Sequence, residues 1–138
     1  MNAEATRRGL QFFLTALGAV AVIAGGLAMV FGVALVPDAG NPSASVDSEV
    51  RFFAAWYAAA GVVLLCSVTR VESAGRVIRT VGGSFFAAGC ARLLSLIVVG
   101  RPHSLFLVLM VVEMALPVLM VPWHTSVARK WSRSGRDR

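Results

Sequence analysis

Charge is scarce in this chain. Only 14% of its 138 residues are Asp, Glu, Lys or Arg, about half the share of roughly 25% usual in soluble domains. There are seven acids, two histidines, two cysteines and one tyrosine. So few charges cannot cover a water-soluble globule when 57% of the residues are hydrophobic before its 13 glycines are added. An ordinary soluble enzyme, a disordered segment and a nucleic-acid-binding domain are excluded together. Zinc-ligand spacing, a P-loop and a dinucleotide fingerprint are missing as well. The period-2 alternation of a membrane barrel is also absent, which leaves helices. The charge that remains is unbalanced, with 13 cations giving a formal net charge of +6.

What is present is four apolar stretches. Residues 12–36 run for 25 positions without a charge, a length of about 37 Å as helix against a hydrocarbon core of about 30 Å. Residues 52–68 give a second span at the short end of the range. Residues 80–99 give a third, interrupted by Arg92, and residues 104–121 a fourth, interrupted by Glu113 and expected to bend at Pro117. In the third, Val81, Phe85, Phe86 and the apolar residues of 93–99 favour insertion by about 3–5 kcal/mol, against about 2.5–3.5 for a central arginine. With its glycines and serines this helix inserts with help from its neighbours. The expected fold is an all-α polytopic membrane protein: a four-helix antiparallel transmembrane domain over residues 1–122, then a basic segment over 123–138.

The connections are punctuated. Two prolines in residues 37–42 stop the first helix. Ser45, Asp47, Ser48 and Glu49 offer N-cap and first-turn groups to the second. Gly100-Arg101-Pro102-His103 makes a tight turn that joins helices three and four as a hairpin.

Ten of the cations fall in the N-terminal segment, the second loop and the C-terminal segment, against Arg51 and Arg101 on the other side. By the positive-inside rule both termini are cytoplasmic. Arg7 and Arg8 hold an uncleaved first helix in that orientation rather than forming a twin-arginine signal, because the apolar run is too long and more spans follow. A composition rich in Ala, Gly, Val and Arg with one Lys hints at a high-GC bacterium, and the expected location is the bacterial cytoplasmic membrane.

Residues 46–61, which begin Val46-Asp47-Ser48-Glu49-Val50-Arg51-Phe52-Phe53, resemble the signature of a family of small bacterial membrane proteins, domain of unknown function 4345. Arg92 ahead of Gly100-Arg101-Pro102, and Glu113 followed by Pro117, match its other marks. The resemblance covers roughly residues 12–122 and implies a four-helix bundle whose activity is open.

Counted from the turn, Arg92 and Glu113 lie at about 14 and 17 Å along their helices. Opposite charges at one depth predict a buried pair. Ala88, Gly89 and Ser95 would form a small, slightly polar face beside Arg92, with Phe106, Met110, Pro117 and Met120 flanking Glu113. Asp47, Glu49, Arg51 and Arg101 would form an outer rim. A pair that merely fixes helix register is the alternative to a pocket for a lipid headgroup or other polar ligand. Small residues recur at four-residue spacing as Ala21/Gly25, Ala24/Ala28/Gly32, Ala54/Ala58 and Gly83/Ala87/Ala91. Such stripes let helix backbones approach, either within the bundle or against a partner.

Cys66 and Cys90 are expected at different depths and unpaired, His103 and His124 on opposite faces, and no cofactor or metal is expected. Trp56, Trp123 and Trp131 suit membrane interfaces. Arg129, Lys130, Arg133 and Arg136 suit contacts with lipid headgroups rather than nucleic acid. The leading functional expectation is a non-catalytic accessory subunit packed against a larger membrane complex, with a lipid-transport system as candidate, or a homo-oligomer. A small independent transporter or lipid binder using Arg92 and Glu113 stands second. An enzyme using Glu113 as acid or base ranks last, since nothing supplies a nucleophile.

Overall fold

A computed structural model describes residues 3–134, and these form helices, turns and short links without a strand. Helix α1 spans Ala3–Phe31, followed by a 3-10 turn at Gly32–Leu35. Helix α2 spans Ala44–Ser67, a second 3-10 turn Val68–Arg70, helix α3 Gly75–Val98 and helix α4 Ser104–Ser134. All four helices are long and apolar enough to cross a membrane. In the most apolar stretch of each, no more than 22% of the residues are buried, so most of the apolar surface faces outward. Phe12, Val20, Ile23, Phe53, Ile97 and Val118 are all more than 60% exposed. In water such surface would drive aggregation; in hydrocarbon it is at rest.

The helices outrun the apolar stretches that mark them. Apolarity measures only the hydrocarbon-facing part, whereas hydrogen bonding carries a helix into polar sequence until a cap ends it. Helix α2 begins at Ala44, capped by Ser43, whose hydroxyl accepts from the Val46 amide at 3.4 Å. Asp47, Ser48 and Glu49 thus lie inside the helix, and the cap sits two residues before Ser45. Helix α4 runs on through Pro117 and Pro122 as one element, so residues 123–134 of the basic segment are helical. The stop of α1 also differs from expectation. It comes at Gly32, which takes a left-handed φ of +57°, ahead of the two prolines.

The chain divides into two compact units, Phe12–Val68 and Met1–Gln11 with Thr69–Arg138. In the first, α1 and α2 form an antiparallel hairpin at very short range. A Cβ on Gly25 would lie 2.7 Å from both the Ala54 carbonyl oxygen and the Ala58 amide nitrogen. A Cβ on Gly61 would lie 2.7 Å from the Gly18 carbonyl oxygen. Only glycine permits that approach.

In the second unit, α3 and α4 pack antiparallel. Gly75 meets His124, Gly82 meets Pro117, and Gly89 meets Met110 and Met114. The first turns of α1 join this unit: the Trp123 indole donates to the Thr6 carbonyl at 3.3 Å, and a Cβ on Gly9 would touch the same ring. Its core includes Leu10, Val71, Ile78, Phe85, Met120 and Val127, all buried.

Candidate functional site

Arg92 and Glu113 meet within the α3–α4 hairpin. The Arg92 Nε donates to Glu113 Oε2 at 2.9 Å and its Nη2 to Oε1 at 3.3 Å. Both carboxylate oxygens are therefore held by one guanidinium fork, the arrangement that best offsets the cost of desolvating the two ions. Phe106, seven residues before Glu113 and so on the same helix face, sets its ring 5.5 Å from the guanidinium carbon. The Glu113 side chain is 3% exposed and that of Arg92 35%. The fork takes one lone pair of each carboxylate oxygen and fixes the orientation of the Glu113 side chain.

The flanking residues fall differently from the expected small polar face. Gly89 is buried against Met110 and Met114, Met120 is fully buried, and Pro117 lies against Gly82. Ala88 and Ser95 are exposed. An arginine side chain of six heavy atoms beyond Cβ reaches its partner without them, and methionine packs against Gly89.

Asp47 and Arg51 act within the Phe12–Val68 unit as a cap on α1. Arg51 Nη1 donates to the Met29 and Val30 carbonyls at 2.7 and 2.8 Å, groups that have no intrahelical donor. Its Nε donates to Asp47 Oδ2 at 2.7 Å, and Asp47 Oδ1 accepts the Val33 amide at 2.9 Å. Gly32 sits between them, where a side chain would collide with Asp47 and Arg51. Two of the four rim candidates are thus engaged in ending a helix. Glu49 is exposed and lines a shallow groove of about 400 Å³ with Ser45, Val46, Val50 and Phe53. Arg101 is exposed in the α3–α4 turn, where His103 Nδ1 accepts the Leu105 amide at 3.2 Å.

A third polar cluster, unforeseen from sequence, ties the start of α1 to the end of α4 and the link before α3. Arg7 forms an ion pair with Glu72, donates to Gln11 at 3.4 Å and lies 5.3 Å over the Trp131 ring. His124 is 6% exposed, with Nε2 2.9 Å from the Val71 carbonyl oxygen, which places the ring proton on that nitrogen. Burial pushes the Glu72 carboxyl up, but the Arg7 hydrogen bond, a backbone amide and the Arg7 charge together bring it below the ordinary carboxylate range. The spacing of Met120, His124 and Val127, all buried, was the available signal, because it continues one helix face beyond Pro122.

Of the residues expected at lipid headgroups, Arg129 is exposed and Lys130 is half-buried, its Nζ 3.4 Å from the Thr6 hydroxyl. Arg133 falls in the last turn of α4, and Arg136 lies outside the described residues. Cys66 and Cys90 are free thiols, both exposed. Among the described residues, no group of three His, Cys, Asp or Glu side chains could hold a metal ion.

A family model described as domain of unknown function (DUF4345) matches residues 9–124. Neither a curated protein nor a solved structure matches the chain.

Proposed function

The chain belongs to the DUF4345 family, and from that premise we propose that it is a non-catalytic integral membrane accessory subunit that packs against a larger membrane complex. The supporting observation is an unequal use of small residues. Ala21, Gly25, Gly32 and Ala54 are buried in the α1–α2 unit, Ala28 and Ala58 are half-buried, and Ala24 is exposed. Gly83, Ala87 and Ala91 on α3 are exposed, and a Cβ on Gly83 would meet nothing within 4 Å. A smooth helix face of that kind suits close docking of a transmembrane helix from another subunit. The pairing of Glu113, Asp47 and Glu72 with arginines supports a structural role over a catalytic one. A lipid-transport assembly is the candidate host. The distribution of basic residues supports termini on the cytoplasmic side of a bacterial inner membrane.

A second reading, an independent small transporter or lipid binder, draws on Arg92. Its side chain keeps 35% exposure despite its partner, so a polar ligand could reach one edge of the guanidinium.

Photo-crosslinking separates the two. A photoreactive residue at Ala87, compared with one at exposed Val118 on α4, is expected to give a discrete adduct with one partner in native membranes. Mild extraction should then retain that partner in stoichiometric amount. A homodimer carrying small molecules would favour the second reading, and a bare monomer would overturn both.

A further inference from the structure

At one end of the unit made of Met1–Gln11 and Thr69–Arg138, positive charge outruns anything the described residues set against it. Arg70 closes a 3-10 turn, Arg76 and Arg79 lie in the first two turns of α3, and Arg129 lies near the end of α4. All four are exposed. The antiparallel register that puts Gly75 against His124 brings these segments to the same end of the hairpin. The described acids of that end are already engaged, Glu72 with Arg7 and Glu4 with Arg8. Among the described residues, none of the four arginine side chains has an ion-pair or hydrogen-bond partner.

The imbalance is unfavourable for the chain alone. The first turn of α3 contains no acid, and its N-cap, Ala74, supplies no side-chain oxygen. Arg76 therefore stands where the helix dipole disfavours a cation. Arg79 reaches back toward the helix start, its Nη1 3.4 Å from a Cβ placed on Gly75, as a side chain does when its head seeks the membrane surface. Trp123 and Trp131 border the same end, and exposed Phe86 and Leu119 continue from it along the two helices. Indoles beside cations, with apolar surface beyond, match the layering of headgroup and acyl chain.

We propose that Arg70, Arg76, Arg79 and Arg129 form a binding site for the phosphate of an anionic phospholipid. The planar guanidinium forks bind phosphate oxygens in pairs, and the lipid brings the countercharge that the described residues do not set against them. This site does not depend on the accessory-subunit reading, and loss of either would leave the other intact.

The test uses purified full-length protein in neutral detergent, titrated with phosphatidylglycerol or phosphatidylcholine, with retained lipids counted by native mass spectrometry. Phosphatidylglycerol is expected to be retained in preference. Each arginine removed should weaken it about fivefold, so R76Q/R79Q should bind about 25-fold less tightly. R101Q, at the opposite end of the hairpin, should bind as wild type. Unchanged retention by R76Q/R79Q, or equal retention of phosphatidylcholine, would overturn the proposal. So would displacement of the lipid by millimolar inorganic phosphate, which would assign the site to a soluble anion. Should R76Q/R79Q not fold, R70Q/R129Q changes two exposed positions and carries the same expected loss and the same refuting result.

Discussion

The α1–α2 hairpin and the α3–α4 hairpin solve one problem in different ways. Two helices that share a hydrocarbon solvent gain nothing from hiding apolar surface from each other, so some other interaction must hold them. The first hairpin uses proximity: Gly25 and Gly61 let backbones touch, and a polar cluster gathers at its end, around Arg51. The second uses side chains: methionines fill the space at Gly89, and an ion pair bridges the middle. Steric closeness tolerates no added atom, whereas an ion pair tolerates no lost one. Each hairpin should therefore fail to the opposite kind of substitution.

The largest effect is expected from adding atoms to the first hairpin. Gly25→Leu places a side chain on the Ala54 and Ala58 backbone and should cost about 3 kcal/mol or more, read as lost folded protein in detergent. Gly83→Leu makes the same change on open α3 surface and should alter stability by no more than about 0.5 kcal/mol. Equal effects at the two positions would erase the contrast.

Removing atoms from the second hairpin comes next. Arg92→Met or Glu113→Gln should each lower stability by about 2–3 kcal/mol, because each leaves the partner's charged hydrogen-bonding groups unmet. The exchange R92E/E113R should recover part of the loss. If both single variants melt like wild type, the pair carries no weight in the fold.

The smallest effect concerns Glu72. Its carboxyl titrates below the ordinary range in the folded protein, so the folded state gains from its charge at neutral pH. That gain is lost as pH falls below about 4, where the unfolded carboxyl is already taking up a proton. Glu72→Gln should flatten this part of the pH–stability profile; an unchanged profile would show that the Arg7 contact contributes nothing.

Four helices and their order are legible in the sequence, because apolar stretches of 17 or more residues, two of them broken by a single charge, survive any detail of packing. Arg92 and Glu113 could be set at one depth by counting from the Gly100–His103 turn. The helix ends were less legible. Gly32 ends α1 through a conformation that its own residue type permits but does not demand, and what secures it is Asp47 and Arg51 from another helix. Arg51 read as a surface cation for the same reason, since nothing local reveals which carbonyls it reaches. The Thr6, Arg7, Glu72 and His124 cluster was hidden because its members come from three separate chain segments, and only tertiary packing assembles them.

The Arg51 cap has a consequence for how the chain is made. Ribosomes deliver α1 first, and its Met29 and Val30 carbonyls then await a donor encoded 22 and 21 residues later. Until Arg51 emerges, the first helix is unfinished at one end, and in a lipid setting an unmet carbonyl is expensive. The smallest piece of this protein in which that end of α1 is closed is therefore the α1–α2 pair.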